Sequence, residues 1–164
     1  MALRALTIPL LRDRLRSDSR QMVNADAPRI STEVQVMFFD TDCAAVVHNI
    51  AYLRFIEVAR TLLAEKLGMR LATMAEDQRF PVVVRTEIDY RRAAKLGDKL
   101  VIEGWLDRIE RVRFWCAFRI VRPADDTLIA SCRQMLALVE MPSAKLLRLP
   151  DEWDRFRAPA DAAS

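Results

Sequence analysis

From Thr32 the chain alternates. In TEVQVMFFD, Val34 and Val36 take turns with Glu33 and Gln35, a period of two that predicts a first β-strand ending at the polar Asp40. After the loop TDCAAVVH the period lengthens. Asn49 stands where it can cap a helix in which polar Arg54, Glu57, Thr61 and Glu65 recur every three to four residues. Ile50, Leu53, Phe55, Ile56, Val58, Leu62, Leu63 and Leu67 fill the rest, so this helix is predicted to be buried on most of its circumference. Gly68 supplies the residue type that commonly ends a helix in the left-handed conformation.

Period two then returns. VVVRTEIDYRR sets Val84, Thr86, Ile88 and Tyr90 against Arg85, Glu87, Asp89 and Arg91, as in a half-exposed antiparallel strand. The turns LGDK (96–99), IER (109–111) and PADDT (123–127) lead on to KLVIEGWLDRI, VRFWCAFRIVR and LIASCRQMLALVEM. One strand, a long helix and four long strands predict a single α+β domain, an antiparallel sheet packed around one helix. Residues 69–80 read as a loop, and Pro150–Trp153 as the start of a short terminal helix. The expected boundaries are an N-terminal extension over 1–29, broken by Pro9 and Pro28, a domain over 30–155 and a tail over 156–164.

The 164 residues suit one hydrophobic core, and 52% apolar with 30% charged residues and three glycines excludes a linker-rich or disordered chain. Lysine and arginine number 26 against 23 acids, a net +3 too small to argue for nucleic-acid binding but compatible with an anionic small molecule. Cys43, Cys116 and Cys132 are odd in number and lack metal-ligand spacing, and no secretory-type apolar run precedes them, so a reduced, cytoplasmic protein is expected. Every apolar stretch is interrupted well before the ~18 residues of a membrane-spanning helix. The single histidine, His48, excludes a histidine-rich metal site within one subunit.

The densest polar cluster beside apolar sequence is Asp40-Thr41-Asp42, with His48 and Asn49 following at the start of the predicted helix. A carboxylate next to a helix N-terminus combines a base or nucleophile with backbone N–H groups able to stabilise an oxyanion. The plainer alternative is a turn followed by a helix cap. No G-x-S-x-G elbow supports a serine triad. Cys43 is disfavoured as a nucleophile because the adjacent Asp42 would raise its pKa. Glu57, three residues before Arg60 on the helix, is a reserve base or an ordinary salt-bridge partner. Arg91, Arg92, Lys95, Arg111 and Arg113 lie around strand ends, where they could hold phosphates or simply form a solvated rim.

FFDTDCAAVVHNIAYLRFIEVARTLLAEKLG, with the later PVVVRTEIDYRRAAKLGD, resembles the hotdog-fold acyl-CoA thioesterases of the 4-hydroxybenzoyl-CoA thioesterase type over roughly residues 32–141. The resemblance implies the hotdog fold and hydrolysis of an acyl-CoA or acyl carrier protein (acyl-ACP) thioester, without metal or redox cofactor. It implies that Asp42 attacks the carbonyl or activates water, and that the Asn49 backbone N–H meets the carbonyl oxygen. His48 and Tyr52 would line an acyl pocket built between two subunits of a homodimer or homotetramer, and Arg111 and Arg113 would be candidates for coenzyme A phosphates. The sequence departs from the family at Ala45, where many members carry glycine, and at His48-Asn49. The G-H-F-P and D-x-N-x-x-H patterns of related dehydratases and hydratases are absent.

Overall fold

The structure, a computed structural model, describes residues 23–158. Its elements in chain order are β1 (Arg29–Gln35), a 3₁₀ turn (Phe38–Asp40), α1 (Asn49–Lys66), α2 (Leu71–Asp77), β2 (Arg79–Tyr90), β3 (Lys99–Ile109), β4 (Arg113–Arg122), β5 (Thr127–Glu140), β6 (Lys145–Leu146) and a 3₁₀ helix (Asp151–Phe156). The strands form one antiparallel sheet in the order β1-β3-β4-β5-β2, with β6 pairing β5. This sheet wraps α1 in the hotdog arrangement that the resemblance implied.

Strict alternation in the central strands builds the floor under α1. Leu100, Ile102 and Leu106 of β3, Phe114, Cys116, Phe118 and Ile120 of β4, and Cys132, Gln134 and Leu136 of β5 all point inward and are buried. Register joins them in rows such as Ile102–Ile120 and Phe118–Cys132. Gly104 pairs with Phe118, and a Cβ there would lie 2.9 Å from the Phe118 ring, so only glycine admits this close approach.

α1 contributes a stripe of Ala51, Tyr52, Phe55, Ile56, Ala59, Leu63 and Ala64. The expectation of burial around most of the helix is corrected here. Ile50, at 67% exposure, and Leu53, Val58 and Leu62 all face outward. The edge strand β2 likewise exposes Val82, Val83 and Val84, and Val84 is the extra residue of a bulge between Val83 and Arg85. The strand edge and the helix face thus each expose valine, leucine or isoleucine.

Other expectations shift by a few residues. The first strand ends at Gln35, not Asp40, because the Asp40 carboxylate accepts the Met37 N–H (2.9 Å) and turns Phe38–Asp40 into a 3₁₀ turn. Residues 69–80 contain α2 and the beginning of β2, five residues of which precede Val84. The packed unit also reaches past 30–155: Val23 and Ala27 are in the core, Val23 bridges Arg157, and Phe156 is buried. Expectations for residues 1–22 and 159–164 lie outside the described residues. Among the described residues no helix is long and apolar enough to cross a membrane.

Candidate active site

The chain leaves β1 at one end of the sheet and must return to begin α1 across the loop 40–48. Its two ends are tied together: the Asp40 carbonyl accepts the His48 N–H (3.0 Å), and Thr41 bridges Val47. Within the loop, Asp42 N–H donates to the Val46 carbonyl (2.9 Å) and Ala45 N–H to the Asp42 carbonyl (3.0 Å). Ala45 adopts φ 57°, so the loop keeps a left-handed residue although a side chain is present. Asp42 Oδ1 accepts the Ala44 N–H at 2.8 Å, an Asx turn that orients the carboxylate at the loop tip. Asp42 is exposed.

His48, rather than Asn49, caps α1. Its backbone is extended (φ −73°, ψ 153°) and its Nδ1 accepts the Ala51 N–H at 3.1 Å. Asn49 is the first helical residue, and the first-turn N–H groups of α1 have no intrahelical acceptor, which leaves Asn49 N–H at the positive end of an 18-residue helix. Asp42 and Asn49, seven residues apart in sequence, are thus the two ends of one closed loop and its helix.

The two aspartates of the D-x-D differ completely. Asp40 is 1% exposed, is ion-paired with Arg54 of α1, and is hydrogen-bonded to Met37 N–H. Arg54 in turn lies over the Phe39 ring, 4.8 Å from its centroid. Sequence reasoning missed this pair, because Arg54 sits in the polar stripe of α1 and reads as a solvent-facing residue; the D-x-D spacing was the available signal.

Tyr52 is a core residue of its own protomer. Its hydroxyl accepts the Ala94 N–H (3.0 Å), its ring lies 5.5 Å from that of Tyr90, and burial pushes its ionisation above the usual tyrosine range. The loop carrying Ala94 also receives the Val47 N–H at Ala94 O (2.9 Å), so Arg91 and Arg92 sit at the same end of the sheet as Asp42. Arg91 pairs with Asp89 (3.3 Å), and the Arg92 guanidinium donates to the Arg91 carbonyl (3.1 Å). Arg113 stands opposite Ala137 of β5, whereas Arg91 and Arg92 N–H both bond Ile129 O. At ~3.3 Å per residue the two arginine groups are about 25 Å apart. Arg111, in the turn before β4, belongs with Arg113 at the far end, so one protomer cannot gather all four on one phosphate.

Glu57 is 55% exposed and ion-paired with Arg60, whose Nη1 donates to Gln134 Oε1 (3.1 Å); the Gln134 amide then donates to Thr86 Oγ1 (3.3 Å). Eight residues beyond Asn49, Glu57 lies about 12 Å along the helix from it, so it does not join the Asp42 site within one protomer. Glu57, Arg60 and Thr61 edge a cavity of about 150 Å³ between α1, α2 and the sheet, with Leu67, Met74 and Phe80 among its apolar walls.

The fold that holds this loop and helix start, one antiparallel sheet around a helix, is also what similarity to other proteins shows. The model of the thioesterase-like superfamily matches residues 36–156. The chain belongs to that family. It is 32% identical over 123 residues to the acyl-CoA thioesterase YbgC of Haemophilus influenzae, covering 74% of this chain and 89% of that protein. It is 28% identical to a 1,4-dihydroxy-2-naphthoyl-CoA hydrolase of Synechocystis, over 74% of this chain and 88% of that one. Among solved structures, a probable thioesterase from Bartonella henselae is 27% identical, with TM-score 0.67 over 75% of this chain and all (100%) of that chain. As a member of the thioesterase-like superfamily the chain is a thioester hydrolase.

Proposed function

We propose that this thioesterase-like protein hydrolyses acyl-CoA thioesters and that Asp42 is its catalytic carboxylate. The observation that carries the reading is the exposed Asp42 carboxylate on a loop whose returning end delivers the Asn49 N–H at the start of α1. As a general base, Asp42 takes a proton from water while the water oxygen attacks the thioester carbonyl. As a nucleophile it bonds to that carbon itself, and water then cleaves the anhydride. In both routes the carbonyl oxygen gains negative charge beside Asn49 N–H and the α1 dipole, the C–S bond breaks, and the thiolate leaves as coenzyme A thiol after taking up a proton. No metal or redox cofactor enters either balance.

Asp42 is open to solvent in one protomer, so the water exclusion that strengthens such a site comes from substrate and from a second copy of the chain. The outward Ile50, Leu53, Val58 and Leu62 of α1 and Val82–Val84 of the β2 edge supply the apolar surface for a homodimer, with a homotetramer as a further stage. His48 borders the reacting group, and Lys95, which bridges Val46 of the loop, stands with Arg91 and Arg92 at that end of the sheet as a candidate for the coenzyme A phosphates; Arg111 and Arg113 would act on a ligand only from the far end of the sheet. Tyr52 acts from the core, where its hydroxyl holds the Ala94 N–H of the loop that meets Val47. The three free cysteines suit a reducing, cytoplasmic setting.

The decisive experiment is thiol release over a panel of aromatic and aliphatic acyl-CoAs, with an acyl carrier protein thioester included, for wild type, Asp42→Asn and Glu57→Gln. Turnover that is lost in Asp42→Asn and kept in Glu57→Gln is expected. Loss only in Glu57→Gln would transfer the role to the helix carboxylate. The Asx turn made by Asp42 favours one rival, a non-catalytic acyl-CoA-binding protein in which that residue only shapes the loop. Tight acyl-CoA binding with no turnover on any member of the panel would establish that rival instead.

A further inference from the structure

Asp40 is a buried charge that the reaction as written does not use. Removing a carboxylate from water costs several kcal/mol unless its partners replace the solvent. The Asp40 carboxylate offsets that cost with two contacts, Met37 N–H and the Arg54 guanidinium, while its backbone separately closes the catalytic loop. Its Oδ2 accepts Met37 N–H on the incoming side, and its carbonyl accepts His48 N–H on the returning side. Its carboxylate also pairs with the Arg54 guanidinium from the second turn of α1. Arg54 is held from above by Phe39, and its own side chain is half-exposed (51%). The pair therefore fixes three things relative to one another: the residue two before Asp42, the cap of α1, and the body of α1 itself.

We infer that the Asp40–Arg54 pair is a positioning clamp that sets the distance between the Asp42 carboxylate and the Asn49 N–H, acting on the chemical step without touching substrate. The inference rests on Asp42 being the catalytic carboxylate. Asp42 and Asn49 both lie in the segment 40–54 whose ends the pair joins, and no other ion pair among the described residues joins that loop to the helix. Loss of the clamp lets the loop shift against the helix end while the apolar face of α1 stays packed. A misplacement of about 1 Å at a reacting group costs on the order of 10²-fold in rate.

The test uses the full chain with Arg54→Gln, Arg54→Lys, Asp40→Asn and the Asp40→Asn/Arg54→Gln double variant, assayed on the best acyl-CoA of the panel. Assays run well below each variant's melting temperature, with folding checked by circular dichroism and assembly by size-exclusion chromatography. Arg54→Gln and Asp40→Asn are each expected to lower kcat by tens to about 10²-fold with KM changed less than about threefold. The double variant should be no worse than the poorer single, because the two side chains act as one unit. Arg54→Lys, which keeps the charge, should regain part of kcat. If Asp40→Asn does not fold, the half-exposed Arg54 variants carry the test alone. Unchanged kcat in folded Arg54→Gln, with only a lower melting temperature, would overturn the clamp and leave the pair a structural contact. Asp42→Asn runs beside them: wild-type turnover in that variant would defeat the assignment of Asp42, a result distinct from failure of the clamp.

Discussion

The two ends of α1 are held in different ways. At its N-terminal end polar, directional contacts are added to the buried Ala51, Tyr52 and Phe55: the Asp40–Arg54 pair, the His48 Nδ1 cap and the closed loop 40–48, with exposed Phe38 and Phe39 outside. At its C-terminal end the helix is packed in apolar side chains. Leu63 and Leu67 are buried, and Trp153 of the terminal 3₁₀ helix stacks edge-on to Phe114 at 5.0 Å while its Nε1–H closes the Leu67 carbonyl (3.0 Å). Apolar packing is strong but tolerant of small displacements, whereas hydrogen bonds fix angle and distance. Apolar packing therefore runs the length of the helix, and its N-terminal end adds the polar contacts that fix geometry.

Substitutions can break that contrast or sharpen it. Trp153→Ala, at the packed end, should cost about 3–5 kcal/mol in a denaturant titration, through lost burial and an unpaired Leu67 carbonyl. The kcat per folded molecule should be unchanged. A matching loss of kcat would mean that the two ends are not separable.

The floor beneath α1 should respond to alkali. Burial holds the Cys132 thiol up at about 12 and raises Cys116 further still, so both stay protonated in the fold while the unfolded chain ionises near pH 9. A raised folded pKa means that the contribution is complete below the unfolded value and is lost as pH rises. Stability should therefore fall above about pH 9, by roughly 1.4 kcal/mol per pH unit for each thiol. Urea melts between pH 7 and 11 on wild type and Cys116→Ala check this, and the variant should show a shallower slope.

His48→Ala should cost about 1 kcal/mol by removing the cap, and His48→Asn, which can accept the same N–H, should recover most of it. Ala45→Gly is the smallest expected effect. It relieves a left-handed alanine and should raise stability by about 0.5–1 kcal/mol in the same assay. A loss of stability on Ala45→Gly would mean that the loop does not depend on that backbone conformation.

The packed end was the more legible from sequence. Strands β3, β4 and β5 and the helix α1 carry unbroken periods of 2 and 3.6, and their turns fell where glycine, proline and aspartate cluster. The polar end was read through a motif. Asp42 came from its resemblance to a family, but nothing periodic distinguishes a buried Asp40 from an exposed Asp42 two residues later. Asn49 and His48 are both plausible caps by type, and only the chain's extended turn at His48 decides between them. The outward Ile50, Leu53, Val58 and Leu62 were expected inside because an apolar residue in sequence does not say whether its cover is its own chain or another copy.

The measurement that bears most directly on this division is a paired one: kcat on an acyl-CoA substrate and the melting temperature, for wild type and Asp42→Asn. The asparagine can still accept the Ala44 N–H, so the loop should persist. A fall in kcat of roughly 10²–10⁴-fold is expected, with the melting temperature essentially unmoved. Undiminished turnover in the folded variant would contradict it and take the chemistry away from the N-terminal end of α1.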